Sequence, residues 1–165
     1  MNDKVNYDEF DYDEALSSAP VAMTQWVTFT VADEVYAVNV LEVQEVLRNA
    51  EITPVPGAPM AVIGIINLRG NVVTVVDARL FFNLPEKPMD ESSRVVVVEL
   101  ENEEVVGVVV DSVAEVIELP EETVNNAPAV SSEENSRHIL GVVSLPEKLV
   151  ILVDFNGLME IAKGG

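Results

Sequence analysis

Two aspartates and one arginine are the residues of this chain whose types and settings most invite a chemical reading. Asp77 and Asp154 each end a valine-rich run, VVTVVD (72–77) and LVILVD (149–154). Two carboxylates brought together can bind a metal ion or divide acid and base work between them. The same residues can instead each cap the helical turn that follows, ARLFF or FNGLM, by accepting from its first amides. Arg69 lies in NLRG (67–70), between the apolar runs VIGII and VVTVV. It could be a turn residue pointing into water, an anion ligand, or the partner of a nearby carboxylate. A planar guanidinium suits the last role, because it can clamp a carboxylate with two parallel bonds.

Other chemistry has little material. The chain has no Cys and a single His, His138, so thiol nucleophiles, thiolate metal sites, His pairs and triads are excluded. His138 follows Arg137 before an apolar run and reads as an exposed residue. GxGxxG, phosphate-loop, HExxH and calcium-loop patterns are absent. With a net charge of −20 and nine basic residues, no two of them adjacent, nucleic acids and anionic membranes are poor partners. The acidic surface keeps the protein in solution or favours partners with basic patches. The acidic start, MNDKVNYDEFDYDEAL, lacks the apolar region of a secretory signal. The longest uncharged run, 52–68, carries three Pro and two Gly, a poor membrane span.

The elements that position these residues are mostly strands. Of 165 residues, 32 are Val, which is stiff at its first torsion and favours strands. Residues 1–22 read as an acidic disordered tail, in which Tyr7, Phe10 and Tyr12 interleave with acids as a solvating segment or a short binding motif. WVTFTVADEVYAVNV reads as a hairpin around Asp33 and Glu34. Val40 to Leu47 has apolar residues at helical spacing. The run around NLRG predicts two strands, and ARLFFNL one helical turn stopped by Pro85. Val95 to Leu100 and Val105 to Val110 predict strands, the stretch from LPEETVNNAPAV to Arg137 a polar connector, and Ile139 to Ser144 with Leu149 to Val153 a last pair.

The chain also repeats itself. IGIINLRGNVVTVVD aligns with LGVVSLPEKLVILVD without a gap, placing Asp77 on Asp154 and Arg69 on Pro146. VYAVNVLEVQEVL aligns with VVGVVVDSVAEVI, placing VQEV (43–46) on VAEV (113–116). The repeat units, 26–81 and 96–158, therefore predict a mainly β fold of two similar small barrels with short helices, closed because such apolar strands cannot safely leave edges open. A seam between two barrels is a natural groove for a partner.

VLEVQEVLR, VPGAP, VIGIINLRGNVVTVVDAR and GVVVDSVAEV occur here in an order and spacing that resemble the CheW family of chemotaxis coupling proteins. The resemblance covers about residues 24–160, within a domain expected over 23–163. It implies two intertwined SH3-like five-stranded β-barrels related by a pseudo-two-fold repeat, with no catalysis, no cofactor and no metal. It implies a cytoplasmic adaptor in membrane-associated receptor arrays, not itself inserted in the membrane, joining the tips of methyl-accepting chemoreceptors to the regulatory domain of the histidine kinase CheA. A receptor-binding groove would involve Val43, Glu45, Val46 and Arg69, and a kinase-binding surface Gly64, Asn125, Pro128 and Val130. Other readings are the coupling module of a CheV-like protein, a carboxylate-based metal-binding or hydrolytic barrel, and a small-ligand barrel. Arg69 is expected to pair with Glu45 from one half only, since the second half keeps Glu115 but has Pro146 in place of the arginine.

Overall fold

Val95 to Val98 offers four apolar side chains in a row, so a strand there must be covered on both faces. The computed structural model, which describes residues 22–58, 62–128 and 139–157, covers it in this way. Its strands are β1 (Met23–Val31), β2 (Glu34–Asn39), β3 (Val43–Leu47), β4 (Val62–Leu68), β5 (Asn71–Asp77), β6 (Arg94–Glu99), β7 (Val105–Val110), β8 (Ser112–Pro120), β9 (Ile139–Leu145) and β10 (Lys148–Val153). A 3-10 turn spans Val40–Glu42, and two short helices follow, α1 (Ala78–Phe81) and α2 (Glu121–Asn125).

The strands form two five-stranded sheets, ordered β8-β1-β2-β10-β9 and β3-β6-β7-β5-β4. Pairing β1 with β6, β2 with β7 and so on turns one order into the other. Each sheet takes two strands from one half of the chain and three from the other. The halves meet twice in each sheet: antiparallel through β1 with β8 and β3 with β6, and parallel with Leu152 opposite Ala37 in the first sheet and Val75 opposite Gly107 in the second. Those four positions are equivalent in the repeat alignment. The second sheet closes further through a bridge between Thr53 and Ile65, bonded both ways at 2.8 and 2.9 Å. In the first, the Val142 amide donates to the Pro128 carbonyl at 3.0 Å.

Strand alternation divides the apolar residues among three cores. Val95 and Val97 join Ile66, Val73, Val75 and Val109 inside one barrel. Trp26, Ala37, Leu119, Val143, Val150 and Leu152 fill the other. The opposite faces, with Val96, Val98, Phe29, Tyr36, Val108 and Phe155 among them, meet in a larger core between the barrels. Among the described residues, both barrel interiors are occupied by packed apolar side chains.

One expectation is corrected. Val40 to Leu47 is not helical: the 3-10 turn ends at Glu42, and Val43–Leu47 is an edge strand paired with β6. A bulge between Val43 and Glu45 inserts one residue, and that insertion imitates helical spacing. The polar connector also begins later than its composition suggests, because β8 runs to Pro120 and α2 follows it. The acidic tail up to residue 21, with Tyr7, Phe10 and Tyr12, lies outside the described residues, as do Val130 and His138.

Candidate functional site: an acid–arginine clasp on an edge strand

The β4–β5 hairpin is closed by two residues, Arg69 and Gly70, with Leu68 opposite Asn71. Both turn residues have positive φ, 52° and 89°, as a type I′ turn requires. Asn, Asp and Gly suit the first position best, because a larger side chain crowds its own backbone in the left-handed region. Asn67 supports the turn by accepting from the Gly70 amide at 2.9 Å. An arginine at this position is conformationally disfavoured, so its use there points to its side chain.

That side chain reaches β3. Arg69 Nη2 bonds Glu45 Oε2, and Nη1 donates to Oε1 at 3.4 Å, which makes the pair bidentate. The arginine side chain is 72% exposed and the glutamate 25%. The Glu45 carboxylate, by accepting from the guanidinium and by its charge, raises the Arg69 pKa. Beside the pair lies an open cleft of about 420 Å³, lined by Gln44, Leu68, Arg69, Val72, Thr74 and Glu104 among others.

The clasp has a counterpart in the second half, which corrects the expected asymmetry. Glu115, equivalent to Glu45, pairs with Lys148 Nζ at 3.1 Å. Lys148 aligns with Asn71, two residues beyond the position of Arg69, so the alignment of Arg69 with Pro146 conceals it. Each half therefore ties its edge-strand glutamate to the neighbouring hairpin, and only the first does so with a guanidinium on a left-handed turn.

Of the four residues expected in one groove, Arg69 lies on the β4–β5 turn and the other three divide between two faces of β3. Opposed residues in an antiparallel pair share a face. Val43 faces Val98 and Val46 faces Val96, both in the inter-barrel core, whereas Glu45 faces Val97, inside the barrel. Val43 is half-buried against the inter-barrel core and Val46 is 37% exposed. Val46 is therefore the cleaner surface probe: Val46→Asp should melt close to wild type, whereas Val43→Asp should lose a measurable part of the roughly 1.5–3 kcal/mol that a fully buried side chain contributes, as a denaturant titration of both would show.

Among the residues expected at the kinase surface, Gly64 is buried. A Cβ there would stand 2.4 Å from the Thr53 carbonyl oxygen and 2.7 Å from Ile52 Cγ2. Its place is to admit the Thr53 backbone, so any effect on a partner passes through the strand it shapes. Asn125 and Pro128 are exposed. Pro128 joins Asn126, Ala127 and Ser144 in lining an open cleft of about 390 Å³.

The aspartate pair is engaged in capping. Asp77 Oδ1 accepts from the Arg79 amide at 2.9 Å, and Asp154 Oδ1 from the Asn156 amide at 2.9 Å. Burial pushes the Asp77 carboxyl up, partly offset by the Arg79 amide and charge. Among the described residues no group of three or more acidic or His side chains is placed to hold a metal ion.

A second ion pair gave no signal in the sequence. Arg79 donates to Asp111 from Nε at 3.1 Å and from Nη2 at 2.7 Å, and the Ala32 amide donates to the same carboxylate at 2.8 Å. Burial alone would raise the Asp111 carboxyl, but these bonds and the Arg79 charge together hold it below its ordinary value. A folded-state pKa below the unfolded one gives stability that is present above the unfolded value and lost as pH falls through the folded one. Arg79→Ala should therefore destabilise the protein at neutral pH, between the ~0–1 kcal/mol of an exposed pair and the ~3–5 kcal/mol of a buried one. The difference from wild type should shrink below about pH 4, which melts taken across the acid range would show.

The architecture is that of a two-barrel scaffold with no assembled catalytic centre among the described residues. The CheW-like domain family matches residues 25–163. Similar proteins include the chemotaxis protein CheW of Klebsiella aerogenes, 32% identical over 136 residues, which cover 82% of this chain and 81% of that protein. The chemotaxis protein CheW of Bacillus subtilis is 30% identical over 134 residues, covering 81% and 85%. The crystal structure of the scaffolding protein TtCheW from Thermoanaerobacter tengcongensis superposes with a TM-score of 0.76 at 29% identity, covering 84% of this chain and 94% of that one. The chain belongs to the CheW-like family, a family of non-catalytic chemotaxis scaffolds. Among the described residues no helix is long and apolar enough to cross a membrane.

Proposed function

We propose that the protein is a cytoplasmic adaptor that couples the tips of methyl-accepting chemoreceptors to the regulatory domain of the histidine kinase CheA, within membrane-associated arrays. The observation that carries this reading is the Glu45–Arg69 clasp: an exposed guanidinium, held on a disfavoured turn, beside an open cleft. The receptor side is assigned to Glu45, Arg69, Val46 and the flank of Val43, and the kinase side to the strand shaped by Gly64 together with Asn125, Pro128 and Val130. The clasp fixes Glu45 and opens when a receptor helix offers either residue a better partner.

The test is a pair of single substitutions. Arg69→Ala should weaken binding of a receptor cytoplasmic fragment about tenfold or more, while the thermal melt stays close to wild type, because an exposed pair contributes little to folding. Kinase-domain binding, measured in parallel, should change far less. Unchanged receptor affinity for both Arg69→Ala and Glu45→Ala would remove the clasp from the receptor site.

A further inference from the structure

The two crossings of the chain between sheets are equivalent in the repeat but differ in charge. At one, the acids Asp77 and Asp111 meet Arg79, bonded to Asp111 and carrying its own bond to the Pro85 carbonyl. At the other, Asp154 occupies the place of Asp77, and Asn156 that of Arg79. Asn156 bonds differently: its Oδ1 accepts from the Glu101 amide at 2.9 Å, and its Nδ2 donates to Asp154 at 3.2 Å. It brings no positive charge.

Into this second junction the 3-10 turn inserts Glu42. Its Oε1 is shut off from solvent and has no hydrogen-bond partner among the described residues. A buried carboxylate oxygen left unpartnered is costly when ionised and much less so when protonated. Among the described residues the groups acting on Glu42 are Asp154 at the end of β10, Glu101 in the β6–β7 turn and the Phe155 amide; two of these are anionic and none is cationic. These groups belong to both barrels, and Glu42 lies on the segment that carries the chain from one to the other.

We propose that this junction is a proton-operated latch between the two barrels: neutral Glu42 lets the crossover lie closed against the segment after β10, and ionised Glu42 drives the two apart. Arg79 makes the equivalent junction permanently closed, so the device is one-sided. Burial first, then the charge of Asp154, pushes the Glu42 carboxyl up to about 7, with the Phe155 amide opposing and Glu101 adding. Because the folded state holds this proton more tightly than the unfolded chain does, the contribution to stability is present at low pH and lost as pH rises through neutrality. Glu42 immediately precedes Val43, so the latch acts on the base of the edge strand that carries Glu45.

The experiment is a pH titration of the full chain by nuclear magnetic resonance, following the glutamate side-chain carboxyl carbons and the backbone amides. The Glu42 carboxyl should titrate with a midpoint near 7, and the amides of Glu101 and Asn156 should shift with the same midpoint. Glu42→Gln should abolish those amide shifts and leave both amides at their low-pH positions. Asn156→Arg, which rebuilds the arrangement around Arg79, should move the Glu42 midpoint down toward the ordinary carboxylate range, and serves alone if Glu42→Gln does not fold. A Glu42 midpoint already in the ordinary range would overturn the latch. So would amides that ignore the Glu42 titration, or amide shifts near neutrality that persist in Glu42→Gln.

Discussion

Gly64→Asp is expected to destabilise the protein by at least ~3 kcal/mol, through overpacking and an unpaired buried charge. Position 64 is buried, and the first side-chain atom alone would stand 2.4 Å from the Thr53 carbonyl oxygen and 2.9 Å from its carbon. Those are backbone atoms, held by the reciprocal bonds between Thr53 and Ile65, so neither can swing aside. Relief requires the bridge that helps to close the barrel to break. Gly57→Ala is the control: a Cβ there meets nothing within 4 Å, and its φ of 79° should cost only about 1–2 kcal/mol. Urea titrations of both variants give the comparison. Receptor and kinase binding should fall together in Gly64→Asp, in step with the folded fraction. A normal melt with kinase binding alone lost would make Gly64 a contact and not a packing position.

The second large effect is expected at the core between the barrels. Phe29 is completely buried and stacks on Tyr36 at 5.7 Å between ring centroids, with Phe155 at 5.9 Å. Truncation to alanine removes most of a large side chain from a region that two sheets hold in place, so the cavity cannot collapse easily. A cost of about 3–5 kcal/mol follows, and a melting temperature lower by on the order of 10 °C. The form of the transition matters as much as its position. Each barrel borrows strands from the other half of the chain, so neither has a complete sheet without its neighbour. Phe29→Ala should therefore melt in one step, with calorimetric and van't Hoff enthalpies equal. Two resolved steps would show that the barrels fold as separate units.

The pairing of Glu45 with Arg69 is legible in the sequence. An arginine between apolar runs, and a glutamate in the repeated VQEV/VAEV segment, limit the choice of partner. The pairing of Lys148 with Glu115 is not, because a repeat alignment compares equivalent positions and this hairpin supplies its charge two residues along. The edge strand Val43–Leu47 reads as a helix since a bulge disturbs the period of two on which strand recognition rests. The exchange of strands between barrels is equally hidden. It depends on long-range pairings, parallel between β2 and β10 and between β5 and β7, antiparallel between β1 and β8 and between β3 and β6, and no local pattern records them. Glu42 is out of reach for a related reason: in sequence it is one acid among many, and only the folded junction removes its oxygen from water.

An adaptor of the proposed kind must hold receptor and kinase at the same time, through separate surfaces. Mixing a receptor cytoplasmic fragment and the CheA regulatory domain, with and without this protein, and reading their association by analytical ultracentrifugation examines that requirement without intermediaries. A ternary species should form only when the protein is present, and should be lost with Arg69→Ala while the binary complex with the kinase domain survives. Competition between receptor and kinase domain, so that adding one releases the other from the protein, would refute the adaptor.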